Sequence, residues 1–170
     1  MVRIVKIMLM LSVGFFGITG FMSNMLDYSP GHEQVRIVLS MEAVGEAPGM
    51  AWRRVTSPLA VNIGFAVIYL SKLVMAALCF YCCAQMIKSR NADAATFEAA
   101  KRWGILGCGV GVVMLFSGFI VIAENFFEYW RVPILGVVTH DFAFSYIMLL
   151  VGFMLVLQLP ENVHIAKKDY

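Results

Sequence analysis

The stretch Val61–Met86, VNIGFAVIYLSKLVMAALCFYCCAQM, decides how the whole chain is read. At ~1.5 Å rise per residue, about 20 apolar residues cross a ~30 Å hydrocarbon core, and this stretch is longer than that. It carries a single charge, Lys72. That lysine lies eleven residues past Val61, roughly 16 Å along the helix, too deep for easy snorkelling to either surface. A mid-span lysine costs ~2.5–3.5 kcal/mol on insertion scales, so it is expected to face protein or water rather than lipid.

Three further apolar runs flank this one. The first, Ile7–Met22, follows Arg3 and Lys6 and resembles a signal peptide, but it is long for such a segment and no A-x-A-like site follows, so it is expected to stay as a span. Gly14, Gly17 and Gly20 recur along it at every third position, a small-residue stripe suited to close helix approach. Gly104–Ala123 contains no charge; Gly107 and Gly111 form a G-x-x-x-G pair, and Gly104 and Gly118 extend the same helical face. Tight packing on a neighbour such as the first span is one expectation for that face, and homodimerisation is the other. Phe142–Leu159 closes the set, and Pro160 stops it.

The expected fold is therefore all-α integral membrane: an antiparallel four-helix transmembrane bundle in one domain, residues 1–170. The spans fall at about 4–22, 58–88, 97–123 and 141–160. The loop 23–57 holds a helix signal at Ser29-Pro30, then HEQVRIVLSMEAV with Val35, Val38, Leu39 and Met41 mainly on one side. A short amphipathic helix is expected there, ended by Gly45, Pro48 and Gly49. Ser57-Pro58 repeats the start signal before the second span, and Asp93 or Thr96 is expected to cap the helix leading into the third.

Composition agrees. The chain is 61% hydrophobic with mean hydropathy +0.80 and a net charge of only +2, which gives no reason to expect nucleic-acid binding. Arg3, Lys6, Lys88, Arg90, Lys101, Arg102, Lys167 and Lys168 gather on one side, eight cations against four on the other, Arg36, Arg53, Arg54 and Arg131. By the positive-inside rule both termini are expected in the cytoplasm, with Trp52 and Trp130 anchoring the outer face.

Few residues offer chemistry. Lys72 is expected either as a structural lysine or as the floor of an outward pocket with Glu124 or Asp141 near its mouth. Asp27, Tyr28, Trp52 and Arg53 form a second group; Asp27 and Arg53 are expected to pair and hold the loop, or else to bind a head group or a partner chain. Cys79, Cys82, Cys83 and Cys108 fall within spans and read as small apolar residues more readily than as a metal or redox site. His32, His140 and His164 are not placed for intramembrane haem ligation. His140-Asp141 reads as a helix start, with Thr139 as its cap. With no nucleophile, phosphate-loop or H-E-x-x-H motif, no catalytic residue, metal or cofactor is expected.

Asp27-Tyr28, Val38-Leu39-Ser40-Met41 with Glu42, Trp52-Arg53 and Ser57-Pro58, with the Glu124, Phe126, Tyr129, Trp130 patch, resemble a bacterial family of predicted small integral membrane proteins, domain of unknown function 2165. The resemblance covers most of the chain and implies a bacterial inner membrane, with no activity attached. Two departures mark this chain: Lys72 stands where the family pattern has an acid, and Leu135–Asp141 replaces an Asn-Gly-Gln stretch. The functional expectation is a non-enzymatic accessory subunit in contact with the bilayer and with other membrane subunits. The alternative is a small-molecule or lipid-binding, even transporting, protein with a pocket above Lys72.

Overall fold

The computed structural model describes residues 2–46 and 48–161. The expected contributions of His164, Lys167 and Lys168 lie outside these residues. Four helices are long and apolar enough to cross a membrane: α1 (Val2–Leu26), α3 (Pro58–Lys88), α4 (Ala94–Phe126) and α5 (Leu135–Gln158). The helix α2 (Tyr28–Ser40) lies between the first two, and no strand occurs among the described residues. The protein is an all-α integral membrane protein.

The helix packing follows chain order. α1 lies on α3, α3 on α4 and α4 on α5, whereas α1 and α5 touch far less. The glycines explain the close seams. A Cβ on Gly17 would stand 2.8 Å from the Lys72 carbonyl oxygen, and one on Gly14 would stand 2.7 Å from the Phe80 ring, so α1 approaches α3 through this stripe. On α4, Gly104 and Gly107 make room for the sulfurs of Cys82 and Cys79, and Gly111 for the sulfur of Met75. That face is thus turned mainly to α3, while Gly104 also admits the sulfur of Met10 from α1, 2.6 Å from where its Cβ would stand. Gly118 does not share it: nothing approaches the position of its Cβ within 4 Å. The cause is the winding. From Met114 to Phe126 the helix is a π-helix, with the Phe127 N–H reaching back to the Ile122 carbonyl at 3.0 Å. Wider turns change the angle per residue, so the face that Gly104, Gly107 and Gly111 share is lost by Gly118.

Helix starts differ from the simple signals in two places. α2 begins one residue after α1 ends, with Asp27 rather than Ser29 in the N-cap position and no side-chain capping bond there. Pro30 still fits, because the first turn of a helix has no use for its missing N–H. α2 then leans on α3, where Gly31 sits over the ring of Phe65 and Gly64 faces Val35. Arg36 bridges Glu33 (2.8 Å, Nε to Oε2) and Glu42 (2.8 Å, Nη1 to Oε2) on its exposed side. The second difference is α5. It starts at Leu135, so Thr139, His140 and Asp141 fall in its second turn instead of capping it. The entry is a tight turn: Ile134 has φ 64° and ψ −62°, and the Leu135 N–H meets the Pro133 carbonyl at 2.7 Å. A β-branched residue at positive φ is strained. Just beyond, a Cβ at Gly136 would meet the Tyr129 carbonyl at 2.5 Å. Elsewhere the signals act as read: Asp93 accepts from the Thr96 N–H at 2.7 Å, and Pro58 takes the first position of α3.

Candidate functional site

Lys72 sits at the middle of α3, and the sequence places it there against a glycine. Its aliphatic stem crosses α1 at Gly20, where a Cβ would stand 3.2 Å from its Cδ. The amine enters a cavity of about 350 Å3 bounded by α1, α3, α4 and α5. Phe16, Leu115, Phe119, Phe142 and Leu150 supply apolar wall, and Thr139 and Tyr146 bring the remaining hydroxyls. The space exists because α1 and α5 barely meet; the Phe16–Tyr146 ring pair, 4.6 Å between centroids, is a contact across that seam. The π-wound part of α4 forms the back wall through Met114, Leu115 and Phe119. Among the described residues no hydrogen-bond or ion-pair partner faces the Lys72 amine. Lys72 is half-buried, and taking a charged amine out of water without a partner is expensive.

Glu124 and Asp141 do not complete this cavity as expected at its mouth. Glu124 is buried, 5% exposed, and its Oε2 pairs with His140 Nδ1 at 2.6 Å. Its other oxygen, Oε1, is buried without a protein partner. Asp141 stands exposed beside this pair.

The loop residues separate into two places. Tyr28 packs on the α3 side, edge-on to Phe65 at 4.8 Å and stacked on His32, which bonds Asn62 at 2.9 Å. Trp52 and Arg53 lie at the end of α4. The Arg53 guanidinium stacks over Trp52 and Phe126, donates to the Phe126 carbonyl at 3.0 Å and pairs with Glu128 at 3.2 Å. The expected Asp27–Arg53 pair is therefore replaced by Arg53–Glu128. Glu128 reaches Arg53 because it turns at φ 56°, and its second oxygen accepts from the Trp130 indole at 2.9 Å. Both carboxylates lay in loops on the same side, and only the folded chain decides between them.

A third cluster was not singled out by sequence. Lys6 is fully buried and donates to Glu161 (2.8 Å) and to the Leu159 carbonyl (2.6 Å). Arg3 pairs with Glu161 at 3.1 Å, donates to the Arg90 and Ala92 carbonyls and lies 4.6 Å over Phe97. Lys101 meets Glu98 at 2.7 Å and the Leu159 carbonyl at 3.1 Å. Burial pushes the Glu161 carboxyl up, but bonds from Lys6 and Arg3 outweigh it and hold the group below the usual carboxylate range. This clasp joins α1, the α3–α4 turn and the end of α5. Lys6, Lys101 and Glu98 were legible only as polar residues near span ends. Their convergence on Glu161 depends on where Pro160 turns the chain.

Cys79 and Cys108 meet thiol to thiol between α3 and α4. Cys82 and Cys83 each direct a thiol at a backbone carbonyl, of Ala100 and Ile7, at 3.5 Å. Among the described residues no group of three or more His, Cys, Asp or Glu is placed to hold a metal ion.

No curated protein and no solved structure matches the chain. The family model for predicted small integral membrane proteins, domain of unknown function 2165, matches residues 2–160, and with its four membrane-length helices the chain belongs to that family.

Proposed function

We propose that this protein is a non-catalytic membrane binding protein, whose central cavity takes the anionic end of a small amphiphile against Lys72. The observation that carries the reading is the Lys72 amine, without a partner among the described residues, at an aromatic and aliphatic cavity of about 350 Å3. That volume is at the lower end of the ~300–1,000 Å3 usual for ligand pockets. Apolar walls suit a hydrocarbon body, while one cation and two hydroxyls suit a carboxylate or phosphate head. The family resemblance suggests a bacterial inner membrane, and the distribution of Lys and Arg supports both termini in the cytoplasm, which puts the cavity in the outer half of the bilayer.

The test uses a fluorescent long-chain carboxylate, with the corresponding alcohol as control, on protein in lipid nanodiscs. The carboxylate should bind in preference to the alcohol, and Lys72→Met should abolish that preference. Equal binding of both, or no effect of Lys72→Met, overturns the reading.

The accessory-subunit reading has its own support. Gly109, Gly118 and Gly152 have open space where a Cβ would be, so small residues remain for another helix to approach. A carboxylate on that partner would satisfy Lys72 equally well. A mild-detergent pull-down from the native membrane separates the two. A stoichiometric membrane partner lost on Lys72→Glu favours the subunit, and a partner-free protein carrying a small amphiphile favours the cavity.

A further inference from the structure

A second groove, about 360 Å3, opens between α3 and α4 at the end of the bundle where α1 starts and α5 ends. It is distinct from the Lys72 cavity and shares none of its lining. Lys88 ends α3 and Arg102 lies in the third turn of α4, so the turn at 89–93 brings two cations from separate helices to one groove. Among the described residues neither has a carboxylate partner, and no Asp or Glu lines the groove. Arg102 is held by stacking over Trp103 at 5.1 Å. The nearby acid, Asp93, is already occupied by the N–H and hydroxyl of Thr96.

The groove lining combines polar and aromatic side chains. Gln85 stands one turn deeper than Lys88 and offers an amide. Tyr81 lies seven residues before Lys88, about 10 Å farther along the helix. There its ring meets Trp103 edge-on at 5.2 Å, and both rings line the groove. Lys88 thus marks the outer end of the groove, whereas Arg102, next to Trp103, enters it about level with the two rings. Cations set beside amphipathic rings suit a phospholipid whose phosphate lies at the interface and whose acyl chains run below.

We propose that this groove binds an anionic phospholipid, its phosphate held between Lys88 and Arg102 and its chain origin resting against Tyr81 and Trp103. Two unpaired cations and no carboxylate favour a head group of net negative charge and disfavour choline, whose ammonium would face Lys88 and Arg102. The site is independent of the Lys72 reading and stands or falls separately.

Native mass spectrometry of the full chain, released from micelles containing equal phosphatidylglycerol and phosphatidylcholine, tests it. Each basic residue near the head group strengthens anionic binding by about fivefold, so retention of phosphatidylglycerol should exceed that of phosphatidylcholine by roughly 25-fold. Lys88→Ala with Arg102→Ala should bring the ratio close to one. Lys88→Arg should keep it, and an unchanged thermal midpoint of the double variant shows that the bundle is intact. Equal retention in the wild type, or an undiminished ratio in the double variant, overturns the proposal. So does displacement of the lipid by equimolar inorganic phosphate, which would make the groove a free-anion site.

Discussion

Gly20 faces the side chain of Lys72, with the lysine Cδ 3.2 Å from where a Cβ on the glycine would stand. One turn earlier, Gly17 meets not the side chain but the backbone of the same residue, at 2.8 Å. The two glycines therefore serve different purposes. Gly17 sets the distance between α1 and α3, and Gly20 leaves a path for the lysine stem toward the cavity.

Gly17→Ala and Gly20→Ala should consequently differ. The first forces a methyl onto a carbonyl that cannot move alone and should cost about 1–3 kcal/mol. The second meets the flexible end of a lysine and should cost well under that. Thermal unfolding of the two variants in one detergent checks the order, and equal losses would refute the division.

Lys72→Met should raise stability while removing anion binding. The substitution keeps the length of the stem and deletes a group costing ~2.5–3.5 kcal/mol at mid-span. A binding residue is retained at such a cost; a structural lysine held by hidden partners would instead destabilise when removed. Paired melting and ligand-binding curves distinguish these.

Glu161→Gln should flatten the acid limb of stability. The unfolded carboxyl titrates near ~4.3, and the folded one is held lower by Lys6 and Arg3. On acidification the unfolded state takes its proton first, so stability falls with pH. The contribution is present above ~4.3 and disappears as pH drops through the lower folded value. Asp93, held low by the Thr96 N–H, adds to the same window, so the readout is the difference in slope between wild type and Glu161→Gln. Parallel curves would count against a Glu161 contribution.

Arg53→Ala should loosen the segment before α3. Glu128 is only 13% exposed at its side chain and would lose its ion pair, keeping the Trp130 indole. With solvent screening the loss is about 1 kcal/mol, which corresponds to roughly fivefold faster tryptic cleavage after Arg54. Asp27→Ala, by contrast, should leave that rate unchanged.

Four apolar stretches, their order and the polar turns between them were legible along the chain, because a bilayer demands uninterrupted apolar helices and this requirement is local. Lys72 stood out for the same reason. The cap at Asp93 and the proline at the start of α3 also follow from nearest neighbours. Tertiary structure decided what local pattern does not encode. It turned Gly107 and Gly111 to α3 and set Gly104 where α1 and α3 both reach it, and the π-winding of α4 took Gly118 away from them. It also gave Arg53 to Glu128 and joined Glu124 to His140. Lys6 and Arg3 met Glu161 across a sequence separation of more than 150 residues. Each of these depends on the relative rotation and spacing of helices, which side-chain packing sets only once all four are together.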